Sequence, residues 1–273
     1  MASGPLSKAL ILAIDAETTG QDPLTDSIVE LGGVYVRGGH FVGPPLCSRV
    51  NPKRYIPILA TQVHGISGED VAKSPTWDVV SKWLKCHIDE AQPVICGYNI
   101  LSFDAPLINA SNERANIDWR LDLDQILDPF IFCRWYHPEL QSTLGNMCKV
   151  YGIDLPSDQA HSADADSEVT ALLAVAMVWA GYIPDDVEEA LRTQKKFKIQ
   201  MEADVEKWGR GLYPDRTDPE KLHIARGIYR GQCVDDLDAS YIKRILNEWK
   251  DSVITEEGRR YIDERTRIQE VLF

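Results

Sequence analysis

The residues with chemistry to offer are acids placed at the ends of short apolar runs. Residues 9–14 (Ala-Leu-Ile-Leu-Ala-Ile) lead directly into Asp15-Ala16-Glu17-Thr18-Thr19-Gly20. A continuous apolar run of this length reads as a strand buried on both faces. Side chains alternate along a strand, so Asp15 and Glu17 point to the same face. Two carboxylates held together at the end of a rigid strand repel each other, and a divalent cation relieves that repulsion directly. Mg²⁺ and Mn²⁺ favour such hard oxygen donors. An isolated Asp-x-Glu after a strand usually does no more than open a loop. The Thr-Thr-Gly turn sets this one apart, because it puts hydroxyls and backbone N–H groups beside the acids, where a phosphate could sit.

Two further segments carry the same kind of residue. In Asn99-Ile100-Leu101-Ser102-Phe103-Asp104 the acid falls at a helix start, where the macrodipole favours it whatever its role. Asn99, taken alone, reads as a turn residue. In His161-Ser162-Ala163-Asp164-Ala165-Asp166 the last acid lies in the first turns of a long helix, behind a His on the incoming loop. An acid so placed can bind a metal while the His reaches a water. Each segment alone is also a plain solvated helix start. Their order along the chain, each acid at an element end, makes the set informative.

The elements that must position these groups follow from periodicity. Residues 28–36 are rich in β-branched types, Arg37-Gly38-Gly39-His40 reads as a hairpin turn, and residues 41–50 return as a strand bent or pushed to an edge by Pro44-Pro45. Thr76 predicts an N-cap, with Trp77, Val80, Leu84 and Ile88 following at helical spacing. Residues 94–98 predict a strand, and 103–114, 143–151 and 162–179 predict helices, the second stopped by Gly152. Strands first, then strands alternating with helices, predict a mixed α/β sheet covered by helices. Residues 184–198 are highly charged and read as a helix, while 202–219, with Gly209, Gly211, Pro214 and Pro219, read as a loop or linker. From 224 onward the pattern is that of a small helical module.

The composition narrows the classes. With 44% hydrophobic and 26% charged residues the 273-residue chain is an ordinary globular sequence. Its net charge of −13 argues against binding nucleic acid through bulk positive charge. The six cysteines form no CxxC pair and no zinc spacing, which predicts free thiols in a reducing, cytoplasmic setting. No leader pattern and no bilayer-length apolar run are evident, so no membrane association is expected.

With these motifs in place, the sequence resembles the DEDDh class of 3′–5′ exonucleases, whose members include the proofreading subunit of bacterial replicative polymerases, ribonuclease T and oligoribonuclease. Residues 15–20 are similar to Asp-x-Glu-Thr-Thr-Gly, with Ala16 at the variable position. Asn99 to Asp104 resembles the Asn-x-x-Phe-Asp segment with one extra residue. His161, Ala163 and Asp166 meet His-x-Ala-x-x-Asp, which selects Asp166 over Asp164. Val63-His64-Gly65-Ile66-Ser67 resembles Val-His-Gly-Ile-Thr.

The resemblance covers about residues 8–182 and implies an RNase H-like mixed sheet flanked by helices. It implies two divalent cations, Mg²⁺ or Mn²⁺, with Asp15 shared between them, Glu17 and Asp166 completing one, and Asp104 supporting the other. Such a pair stabilises both the attacking and the leaving oxygen at phosphorus. His161 is implied as the general base, and Thr18, Thr19, His64 and Asn99 as the groups holding the terminal nucleotide.

The expected organisation is an exonuclease domain at 1–182, a helix and linker at 183–220, and a small, mainly helical C-terminal module at 221–273. That module resembles the one in exonuclease X-like proteins at Gly227-Ile228-Tyr229-Arg230-Gly231, with Arg226 in place of the usual Phe and Ile228 in place of the usual Lys. It would either cap the catalytic domain or add nucleic-acid contacts through Arg226, Arg230, Lys243, Arg244 and Tyr229. The expected partner is the 3′ end of a nucleic acid, single-stranded DNA ahead of RNA, releasing nucleoside 5′-monophosphates. An exoribonuclease or oligonucleotide-trimming enzyme, a small-molecule phosphodiesterase and a catalytically silent nucleic-acid-binding adaptor on the same fold are the alternatives. The oligomeric state stays open, a homodimer included.

Overall fold

The computed structural model describes residues 4–154 and 162–272. Its elements run β1 (Ile11–Thr18), β2 (Ile28–Arg37), β3 (His40–Phe41), β4 (Leu46–Arg49), α1 (Ile58–His64), α2 (Gly68–Val71), α3 (Trp77–Ala91), β5 (Val94–Cys96) and α4 (Asp104–Arg114). They continue with β6 (Ile126–Leu127), α5 (Pro129–Tyr136), α6 (Leu144–Val150), α7 (Ala163–Trp179), α8 (Val187–Trp208), β7 (Leu212–Pro214), β8 (Leu222–Ile224), α9 (Ala239–Glu248) and α10 (Glu256–Leu272). The chain forms two compact units, Met1–Phe132 with Thr143–Lys195, and Cys133–Ser142 with Lys196–Phe273. The 183–220 stretch is largely the 22-residue α8 followed by β7, and the second unit also includes 133–142.

In the first unit the sheet order is β3-β2-β1-β5-β6, with β4 also paired to β2. β1 pairs antiparallel with β2 and parallel with β5, so it lies inside the sheet, as its apolar run predicts. Leu12, Ile14 and Ala16 point into a core with Val80, Leu84, Leu107 and Ile108 from α3 and α4. Each fully buried Leu or Ile there contributes about 1.5–3 kcal/mol. α7 packs against β1 and β2. The turn between β2 and β3 uses Gly38 and Gly39 at φ 58° and 78°, and Gly43-Pro44-Pro45 breaks the predicted return strand into β3 and β4.

The second unit pairs β7 antiparallel with β8 and closes a small core of Leu212, Leu222, Ile224, Ile242, Ile245, Ile254 and Ile262 with α9 and α10. Phe197 stacks face to face on Trp135 at 4.1 Å, and the Arg216 guanidinium lies 4.0 Å over the same Trp ring. Tyr229 packs against Tyr241 at the edge of that core, Arg230 donates to the Pro138 carbonyl, and Arg244 pairs with Glu248. All six cysteines carry free thiols, three of them buried. Among the described residues no helix is long and apolar enough to cross a membrane.

Candidate active site

The site is built at the C-terminal end of β1. Asp15 and Glu17 are the two half-buried positions in an otherwise buried strand, and they share the face against which α7 packs. The register with β2 shifts between Glu17, opposite Glu30, and Thr18, opposite Ile28, a bulge that leaves Val29 as the extra residue on β2. On β2, Gly32 lies opposite Asp15 and Glu30 opposite Glu17. A Cβ on Gly32 would overlap the Ala163 carbonyl carbon, so glycine here lets the first turn of α7 sit directly on the sheet. The small side chains of Ala163, Ser167, Thr170, Ala171 and Ala174 continue that close approach along the helix.

Asp166 is thereby brought to β1. Carboxylate oxygens of Asp15, Glu17 and Asp166 lie within 4.8 Å of one another. Asp164 is outside this group and caps its own neighbour, accepting from the Ala165 N–H at 3.0 Å. Asp104 opens α4, is buried, and accepts a 3.1 Å hydrogen bond from the Ala16 N–H, which ties it to the same end of β1.

The electrostatics are those of crowded acids. Burial first, then the charges of Asp104, Asp166, Glu17 and Glu30, push the Asp15 carboxyl well above the ordinary range. Burial, Asp166, Glu30 and Asp104 push Glu17 up to about 7. Asp104 is likewise pushed to about 7, mainly by burial, with Asp128 adding to it. A site that holds three or four carboxylates at this cost suits a hard divalent cation, whose attraction would outweigh those repulsions and favour the ionised acids.

The implied nucleotide-holding residues sit near these acids, but their polar atoms are largely engaged. The Thr18 hydroxyl donates to the Gly20 carbonyl at 2.6 Å. The Thr19 hydroxyl donates to Asp26 at 2.8 Å and accepts from the Ser27 N–H at 3.0 Å. His64 Nδ1 accepts from the Ile66 N–H at 3.0 Å, so Nε2 carries the proton and donates to the Thr18 carbonyl at 3.2 Å. Burial lowers its pKa, which keeps the ring neutral. These three side chains shape the turn after β1. Asn99 stands in the left-handed region at φ 61°, half-buried, on the loop leading to Asp104. Phe103 packs into the core beside it. His161 lies outside the described residues.

Sequence reasoning missed Glu30, Gly32 and Asp128. Glu30 is a buried fifth acid that faces Arg49 at 3.5 Å and accepts from the Ala163 N–H at 3.4 Å. The β-branched residues around Glu30 and Gly32 signalled only a strand. Asp128 precedes Pro129, a helix-start signature that the two-residue β6 before it obscured.

The exonuclease family profile matches residues 12–174. The PolC-type DNA polymerase III of Latilactobacillus sakei is 33% identical over 62% of this chain and 11% of its own length. The DNA polymerase III epsilon subunit of Rickettsia typhi is 27% identical over 61% of this chain and 72% of its own. The chain thus spans about a tenth of the one relative and under three quarters of the other. Exonuclease X, solved in complex with 5′ overhanging duplex DNA, superposes with a TM-score of 0.52 at 23% identity, over 67% of this chain and 99% of its own. The nuclease domain of 3′hExo, a DEDDh family member solved bound to rAMP, gives a TM-score of 0.55 at 17% identity, over 65% and 96%. At these identities the two structures speak for the fold of the first unit. With the profile spanning β1 through most of α7, and so every acid gathered at the strand end, the chain belongs to the exonuclease family.

Proposed function

We propose that the protein is a divalent-metal-dependent 3′–5′ exonuclease acting on DNA ends, with Asp15, Glu17, Asp104, Asp166 and His161 as its working residues. The observation that carries this reading is the gathering of Asp15, Glu17 and Asp166 oxygens within 4.8 Å at one strand end, with Asp104 beside them. That all-oxygen set fits Mg²⁺ or Mn²⁺. Bound there, such ions would supply the positive charge that balances a scissile phosphate and its leaving oxygen.

The chain's own residues do the rest. Asp15, Glu17 and Asp166 hold the cation side, and Asp104 closes it from α4. His161 takes the proton from the attacking water as general base. Asn99 contacts the terminal nucleotide, and the Thr18–Thr19 turn, held by His64, offers it backbone rather than hydroxyl groups. The products are a nucleoside 5′-monophosphate and a strand shortened from its 3′ end. The DNA preference rests on the polymerase III relatives and on the DNA bound to exonuclease X.

Purified protein with Mg²⁺ or Mn²⁺ and 5′-labelled single-stranded DNA, duplex DNA and RNA tests this. The expected result is a ladder shortening from the 3′ end of DNA, abolished by EDTA. Asp15→Asn and His161→Ala should each slow it by about 10²-fold or more. Faster turnover on RNA would make the enzyme an exoribonuclease, and no turnover on any of the three would make it a silent adaptor.

A further inference from the structure

The buried carboxylate of Asp128 is not part of the acidic cluster. One oxygen accepts from the Asn99 N–H at 2.9 Å and from the Phe130 N–H at 3.1 Å; the other accepts from the Leu101 N–H at 3.2 Å. Behind it, the Asp128 N–H donates to Gln194 Oε1 at 2.7 Å, and Gln194 Nε2 donates to the Ile126 carbonyl at 2.8 Å. Asp128 and Gln194 are 1% and 4% exposed. The contact to Phe130 is an ordinary N-cap of α5. The contacts to Asn99 and Leu101 are not needed for a cap. They clamp the backbone on either side of Ile100, in a loop whose first residue is held at φ 61° and which ends in Asp104. A left-handed asparagine stays put only when its surroundings over-determine it.

We propose that Asp128, braced by Gln194, is a positioning residue that fixes Asn99 for contact with the terminal nucleotide. This rests on the proposed exonuclease site and adds the device that sets its nucleotide-binding loop. Side-chain length separates the two roles of Asp128. Serine still caps α5 through Phe130 but is too short to reach Asn99 and Leu101, whereas asparagine keeps the length and loses one acceptor.

The test measures affinity for dTMP by calorimetry and steady-state turnover of a 5′-labelled single-stranded oligonucleotide, with Mg²⁺, alongside thermal melting. Asn99→Gly, which keeps the left-handed backbone, is expected to weaken dTMP binding and raise KM about tenfold with kcat changed less than about threefold. Asp128→Ser should match it, Asp128→Asn should recover most of the loss, and the double variant Asn99→Gly/Asp128→Ser should be no worse than either single. Multiplying effects in the double variant would overturn the proposal. So would a loss in Asp128→Ser confined to kcat, or Asn99→Gly behaving as wild type. If Asp128→Ser does not fold, Gln194→Met, which removes the brace behind the carboxylate, carries the same comparison with Asn99→Gly. Wild-type protein that binds dTMP with these variant effects but turns over no strand would refute the exonuclease reading alone; wild-type protein that shortens the strand but binds no dTMP overturns this proposal alone, and protein that does neither overturns both.

Discussion

Glu17 is pushed to about 7 because burial and the neighbouring acids Asp166, Glu30 and Asp104 all disfavour its charge. A group that binds its proton more tightly folded than unfolded gives stability that is full below its ordinary value near 4.5 and is lost as pH rises toward 7. Asp15 and Asp104 shift in the same direction, so metal-free protein should melt progressively lower across that window. Glu17→Gln removes one of these charges while keeping the shape. In EDTA at pH 8 the variant should therefore melt above wild type, and near pH 4.5 the two should coincide. Mg²⁺ or Mn²⁺ should restore wild type at pH 8 and raise the variant less, since a ligand has gone. Scanning fluorimetry across pH with and without metal checks this; a variant less stable than wild type at pH 8 in EDTA would show that the carboxylates are not strained.

The elements decide whether those residues meet. Asp166 reaches Asp15 only because the start of α7 lies on Gly32 of β2, where a methyl group would collide with the Ala163 backbone. Gly32→Ala must push back the first turn of α7, at about 1–3 kcal/mol for overpacking, and move Asp166 out of the group. Turnover should fall at least about tenfold, and the metal-induced rise in melting temperature should shrink, while Gly33→Ala, at a less crowded position, does less. Equal kinetics in Gly32→Ala and wild type would refute this. The same elements show what the sequence could disclose. β1 and β2 were legible as continuous apolar or β-branched runs, α3 by its one apolar face, and α4 and α7 by the apolar residues along them; Asp15 and Glu17 were legible from strand alternation, and Asp104 and Asp166 from their place in the family's ordered motifs. α1 was not, because Ile58, Leu59 and Val63 are exposed and leave no apolar period. Nor were β6 and the β7–β8 pair, at two and three residues each. Thr18, Thr19 and His64 stood out only through the family resemblance, and a sequence cannot show that their polar atoms are spent on the turn itself.

At the scale of the molecule, charge limits how a strand can be held. The chain carries −13, and residues 1–182 hold −10 of it with the four acids of the site included. Residues 183–273 carry −3, and several of their cations are committed: Arg216 to Asp204, Arg244 to Glu248, and Arg259 to the Leu246 carbonyl. Two divalent ions would leave the first 182 residues at −6, still repelling a long polyanion. Each phosphate neutralised by a protein cation adds about 0.7 to the salt slope of single-strand binding, so an enzyme that holds only a few nucleotides through metal ions, backbone N–H groups and stacking should show a shallow one. We expect the apparent affinity for a 30-nucleotide strand to fall with a log–log slope no steeper than about −2 between 50 and 300 mM KCl, and to exceed that for a 6-nucleotide strand by less than about tenfold. Steady-state titration of both lengths at fixed Mg²⁺ measures this. A slope near −4, with the longer strand strongly preferred, would mean that the cations of the second unit track the strand beyond the active site.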